Sequence, residues 1–238
     1  MPDASDIELL RDYDLHGSEA AFTELVQRHI NFVYSVALRH VGVAAEAEEI
    51  TQAVFIILAR KAASLRADTA LEGWLYETTR LTALSFLRGE RRRQFREQEA
   101  YMQSTLQDSA DDRTWNQLAP LLDEAMFRLR KNDRDAVVLR FFKGKNLREV
   151  AAALAVTETA AQRRVLRAVE KLRKIFAKSG VTLPAALIVG ALAANSVQAA
   201  PAGLAQTISV VALTKGAAAG GSTLTLVNGE FKFLACKK

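Results

Sequence analysis

A single cysteine, Cys236, in 238 residues rules out an internal disulfide framework and leaves no pair of thiolates for a metal. Four prolines and 12 glycines interrupt the chain rarely, so long helices can form without breakers. The three histidines, His16, His29 and His40, show no metal-ligand spacing with carboxylates. No phosphate loop or nucleophile motif accompanies them, so neither an enzyme nor a cofactor or metal is expected. His29 lies on an apolar stripe and reads as a structural residue. At the N-terminus, Asp3, Asp6 and Glu8 stand where a secretory signal would carry an apolar core, which points to a cytoplasmic protein.

What the chain does contain is periodic. Half of its residues are hydrophobic, 25% are charged, and the net charge is +5, which permits a polyanionic partner without proving one. The most legible stretch is NLREVAAALAVTETAAQRRVLRAVEKLR, residues 146–173. Asn146 with Glu149 three positions on is a capping box, and Leu147, Val150, Ala151 and Leu154 then share a helical face. Thr157 caps a second, longer helix with Glu158 in its first turn. Ala161, Val165, Ala168, Val169 and Leu172 point inward, whereas Gln162, Arg163, Arg164, Arg167 and Arg173 project elsewhere. Two helices on a short turn, the second polar and cationic near its start, describe a helix-turn-helix whose forked side chains suit base edges in a major groove. The plainer alternative is a solvated basic surface helix.

Upstream, Ser18 caps a helix with a stripe from Phe22 to Ala37, ended by Gly42. A second helix, AEAEEITQAVFIILARKAASL, starts acidic and turns apolar inward at Ile50, Val54, Phe55, Ile57 and Leu58. After a loop from Arg66 to Glu72 comes GWLYETTRLTALSFLRGERRRQFR, which ends in Arg88, Arg91, Arg92, Arg93 and Arg96. Aromatic residues and arginines on one helix suit unpaired nucleic acid, although most of these aromatics read as core. Residues 98–113 are polar and mildly acidic and read as a linker. Trp115 to Leu129 and Asp133 to Phe142 add two further helices, the second stopped by Gly144.

Taken in order, EAEEITQAVF, GWLYETTRLTALSFLR and RDAVVLRFFKGKNLREVAAALAVTETAAQRRVLRAVEKLR resemble regions two and four of bacterial sigma-70 family RNA polymerase sigma factors of the extracytoplasmic-function (ECF) group. The resemblance covers about residues 7–177 and rests on three motifs in one order. It implies a mainly all-α fold: a region-two bundle over 7–97, the linker 98–113, and a region-four helix-turn-helix domain over 114–177. It also implies a dissociable subunit that binds core RNA polymerase and promoter DNA, with an anti-sigma factor as a further type of partner. Glu48, Glu49 and Gln52 would meet the polymerase. Arg66, Asp68, Trp74, Arg80, Leu84, Arg88, Arg91 and Arg92 would serve the minus-ten element, and Thr157, Thr159, Gln162, Arg163, Arg164 and Arg167 the minus-thirty-five element. The chain departs from the usual pattern at Arg80-Leu81, Ser85, Thr159-Ala160 and Gln162-Arg163, so promoter sequence does not carry over. The competing function is a helix-turn-helix regulator that acts without joining polymerase; it would leave the acidic and arginine-rich helices unused.

Residues 178–238 form an Ala-rich extension. From Ser179 to Thr214 there is no charge, yet its apolar run is only about a dozen residues, short of the roughly 20 that span a bilayer. Membrane contact is therefore the less favoured reading. Small helices broken at Pro201 and Gly203 are expected, followed by a β-hairpin about Asn228-Gly229 that would put Leu224, Leu226, Phe231 and Phe233 on one face. So much apolar surface should pack on the domains or on a partner and regulate access to polymerase or promoter.

Overall fold

Helix boundaries follow local chemistry closely in the computed structural model, which describes residues 4–66, 69–97, 113–195, 197–214, 221 and 223–228. Helix α1 (Asp6–His16) opens on a capping box not anticipated from the sequence: Ser5 Oγ accepts from the Glu8 amide at 3.3 Å, and the Ser5 amide donates to Glu8 Oε2 at 2.7 Å. The Ser5 amide, and next the Ser5 hydroxyl, which donates to the same oxygen at 2.7 Å, hold the Glu8 carboxyl below its ordinary range. Gly17 closes the helix in the left-handed conformation at φ 66°, which costs a glycine nothing. Ser18 caps α2 (Glu19–Val41), Gly42 ends it, and α3 (Ala44–Lys61) follows. A short 3-10 turn (Ala62–Ser64) and a loop lead into α4 (Leu71–Glu97). The loop is shorter than expected, because Leu71 is buried and the Trp74 amide already donates to Ala70.

The chain divides into two units, one comprising Met1–Leu87 with Gln198–Lys238 and the other Arg88–Val197. In the first, α1 and α3 pack on α2 around Phe22, Leu25, Val33, Val54 and Phe55, all essentially inaccessible to solvent. Each such side chain contributes about 1.5–3 kcal/mol on burial. His29 is indeed structural: it is buried, and its Nε2 lies 2.7 Å from Asp6 Oδ2, which ties α1 to α2.

In the second unit, α5 (Arg113–Arg128) and α6 (Lys131–Val137) precede a π-helical segment (Val138–Phe142). The expected helix thus runs on but changes its winding before Gly144, whose φ is 64°. Then come α7 (Leu147–Ala153), α8 (Glu158–Lys178) and α9 (Ala185–Asn195). Buried carboxylates paired with lysines brace the base of this unit: Lys171 Nζ lies 2.5 Å from Asp133 Oδ2, and Lys131 Nζ 2.8 Å from Asp135 Oδ2.

The extension is divided between the units. Helix α9 packs on α8, on α5 and on the π segment through Ile188 and Leu192. Helix α10 (Leu204–Leu213), preceded by Gly203 at φ 83°, packs on α2 and α3. Residues 223–228 are helical, not the first arm of a β-hairpin. Thr223, Leu226 and Val227 are its buried positions, an i, i+3, i+4 set that one helical face satisfies. The expected second arm and the linker 98–112 lie outside the described residues. Among the described residues, no helix is long and apolar enough to cross a membrane.

Candidate functional site

The helix-turn-helix is built by side chains that finish what the backbone leaves open. Asn146 Oδ1 accepts from the Glu149 amide at 2.9 Å, and the Asn146 amide donates to Glu149 Oε2 at 2.7 Å, the reciprocal box expected at the start of α7. At its far end the Val156 amide donates to Ala151 O and the Ala155 amide to Ala152 O. This is the Schellman arrangement, which normally places glycine in the left-handed position. Here that position is Ala155, at φ 50°. Thr157 Oγ1 then accepts from the Ala160 amide at 3.3 Å and starts α8. Leu139, from the π segment, joins Val150, Ala151 and Ala161 in one core, with Leu154 and Val156 against it. The turn and both helices therefore hold α8 by its inward face.

The outward face of α8 is open. Thr157, Thr159, Gln162, Arg163 and Arg167 are exposed, and Arg164 is half-buried. Thr157, Thr159, Arg163, Arg164 and Arg167 line one shallow concavity with Ala160; Gln162 sits beside it. Ala160 was not among the expected site residues. Three guanidiniums and two hydroxyls along the first turns of a helix can grip phosphate oxygens and reach the edges of bases. Farther along, Arg173 donates to Glu170 at 2.7–2.8 Å and holds that carboxyl below its ordinary range. Arg173 is thus engaged within the helix.

On α4, positions 74, 77, 84 and 88 fall within an arc of about 80° at 100° per residue. The side chains of Trp74, Glu77 and Leu84 are half-buried and that of Arg88 is exposed, so Trp74, Leu84 and Arg88 share a partly open face. Arg80 does not join them: it is 8% exposed. Arg66 is exposed in the loop before α4, where the Thr69 amide donates to its carbonyl at 3.1 Å. Asp68 and the side chains of Arg91 and Arg92 lie outside the described residues.

On α3, Glu48, Glu49 and Gln52 are all half-buried and share one side of the helix. Burial, and next the nearby Glu48 carboxylate, push the Tyr34 phenol of α2 up. Glu49 Oε1 is buried with no hydrogen-bond partner. Gln52 Oε1 accepts from Thr223 Oγ1 at 3.3 Å. The line through positions 48 and 52 continues at i+4 spacing to Ile56, fully buried, and Arg60, whose Nη1 lies 3.4 Å from Asn228 Oδ1. Neither Ile56 nor Arg60 was expected in this surface, although the repeat 48, 52, 56, 60 is visible in the sequence.

Comparison with known proteins follows the same division. Residues 25–93 match the family described as Sigma-70 region 2, and residues 125–174 match Sigma-70, region 4. The ECF RNA polymerase sigma factor SigE of Mycolicibacterium smegmatis is 33% identical over 175 residues, covering 70% of this chain and 66% of that protein. The RNA polymerase sigma factor CarQ of Myxococcus xanthus is 30% identical over 163 residues, covering 67% of this chain and 91% of that protein. The ECF RNA polymerase sigma factor SigM of Mycobacterium tuberculosis is 27% identical over 184 residues, covering 75% and 89%.

Proposed function

The chain belongs to the extracytoplasmic-function group of RNA polymerase sigma factors, and we propose that its two helical modules divide the work of such a subunit between named residues. A sigma factor binds core RNA polymerase and directs initiation at particular promoters. Here residues 7–97 take the polymerase and the minus-ten element, residues 114–177 take the minus-thirty-five element, and 98–113 join them. The polymerase meets Glu48, Glu49 and Gln52 of α3. Trp74, Leu84 and Arg88 of α4 face the separated strand, with Arg66 beside them; Arg80 acts from beneath that face by holding α4 in place. Arg163 and Arg167 read base edges, Gln162 flanks them, and Arg164 with Thr157 and Thr159 holds phosphate. RNA synthesis itself belongs to the polymerase, beside which this protein works in the cytoplasm.

The observation that carries this reading is the open, arginine-lined face at the capped start of α8, on a helix whose other side is locked into its own core. A regulator acting alone would use that face too, but would have no use for the acidic start of α3. Co-purification with core polymerase, followed by transcription of a promoter-fragment library, tests the assignment. The expected result is a stable complex that starts RNA at defined sites; a protein that neither associates with polymerase nor selects start sites would refute it.

A further inference from the structure

The side of α3 assigned to polymerase does not stop at Gln52, and its continuation is covered by the chain's own C-terminal extension. Gln52, Ile56 and Arg60 lie one turn apart on one line. Thr223 bonds to the first at 3.3 Å, Asn228 approaches the last at 3.4 Å, and Ile56 between them is fully buried. The covering segment is helical over 223–228 and buries Leu226 and Val227. Next to it, α10 packs on both α2 and α3 and buries Ile208, Val211 and Ala212.

The result is visible along α3. Every residue from Ala53 to Ala59 is buried, nearly two full turns at 3.6 residues per turn. A helix at the surface of a bundle keeps one stripe in solvent, and α3 over this span keeps none. A strap of polar bonds fixes where the cover begins: the Gln198 amide donates to buried Ser35 Oγ at 2.5 Å, and the Ala200 amide donates to Asn31 Oδ1 at 2.9 Å.

We propose that residues 198–214 and 223–228 are an autoinhibitory cover that competes with core RNA polymerase for the side of α3 that carries Gln52, Ile56 and Arg60. The proposal rests on the assignment of Glu48, Glu49 and Gln52 to polymerase. It adds that the free subunit is closed on that side and that polymerase binding lifts the cover. Only the fraction of molecules with the cover displaced is competent to bind, so apparent affinity is reduced by that fraction.

The test uses the full chain. Ile208→Asp and, separately, Leu226→Asp place a charge under the cover, and affinity for core polymerase is compared with the unaltered chain. Each variant should bind more tightly, by about tenfold or more. Unchanged or weaker binding by variants that keep their helicity overturns the proposal. Hydrogen exchange on the unaltered chain is decisive even if a variant fails to fold. Backbone amides of Leu204–Leu213 should be protected in the free protein and become unprotected when polymerase is added, while those of α3 stay protected. Amides of α10 that remain protected in the complex overturn the cover while the sigma assignment stands. Failure of the unaltered chain and both variants to bind polymerase at all overturns that assignment and the cover with it.

Discussion

Helices α3 and α8 carry the polar groups proposed to meet the two large partners, and the chain treats these faces in opposite ways. On α8 the arginines and threonines stand in solvent around a shallow concavity. On α3 the corresponding groups are half-buried, and the residues beyond them are sealed under α10 and residues 223–228. The proposed roles account for the difference. A face of guanidiniums that reads DNA would be well solvated and could wait open, whereas a docking face that includes Ile56 would be apolar, and an exposed apolar stripe invites non-specific association.

The sharpest way to break this contrast is to truncate a residue on the sealed side. Ile56→Ala should lower unfolding free energy by about 2–5 kcal/mol, the cost of removing a fully buried aliphatic side chain. On an open helix face the same change would fall within about 0.5 kcal/mol. Denaturant unfolding of the full chain distinguishes the two, and a small effect would mean that α3 has a free side after all.

The mirror-image experiment is on α8. Arg163→Ala or Arg167→Ala should leave unfolding free energy within about 0.5 kcal/mol of the unaltered chain, because neither side chain supports the core. Discrimination between the upstream promoter element and a scrambled one should fall by about 1–3 kcal/mol for each guanidinium that grips a base edge with two hydrogen bonds. Equal weakening on both DNAs would instead identify these arginines as phosphate-binding.

The open face was legible from the amino-acid sequence and the sealed one was not, and the reason is the range of the interactions. Asn146, Glu149 and Thr157 act on amides three residues away, so the limits of α7 and α8 can be read locally. The inward set Ala161, Val165, Ala168, Val169 and Leu172 is buried as its spacing predicts. By contrast, Thr223 meets Gln52 across 171 positions, and no local pattern announces that. The helix over 223–228 shows how a distant surface decides. TLTLVN alternates like a strand up to Asn228-Gly229, yet Thr223, Leu226 and Val227 also fit one helical face, and the segment is helical where Thr223 and Asn228 meet Gln52 and Arg60 of α3. Arg80 has a related history: its place in a motif puts it near DNA, while its angular position on α4 turns it inward. Nothing in DRDAVVLRFF marks the change to π winding, within which Leu139 sits among Val150, Ala151 and Ala161.

The smallest expected effect sharpens the comparison at the turn that aims α8. Ala155 holds a left-handed conformation at φ 50°, which costs a residue with a Cβ about 1–2 kcal/mol. Glycine would remove that strain but would add about 0.4–1 kcal/mol of chain entropy to the unfolded state. Ala155→Gly should therefore raise unfolding free energy by about 0.5–1 kcal/mol. It leaves the Val156-to-Ala151 and Ala155-to-Ala152 bonds in place, so promoter discrimination should not change. A loss of stability would show that the methyl of Ala155 packs usefully in the turn. A loss of discrimination at unchanged stability would show that the strained turn sets the angle at which the open face is presented. The sealed side of α3 should be indifferent to the substitution, because its cover is anchored at Gln198, Ala200, Thr223 and Asn228 and not by this turn.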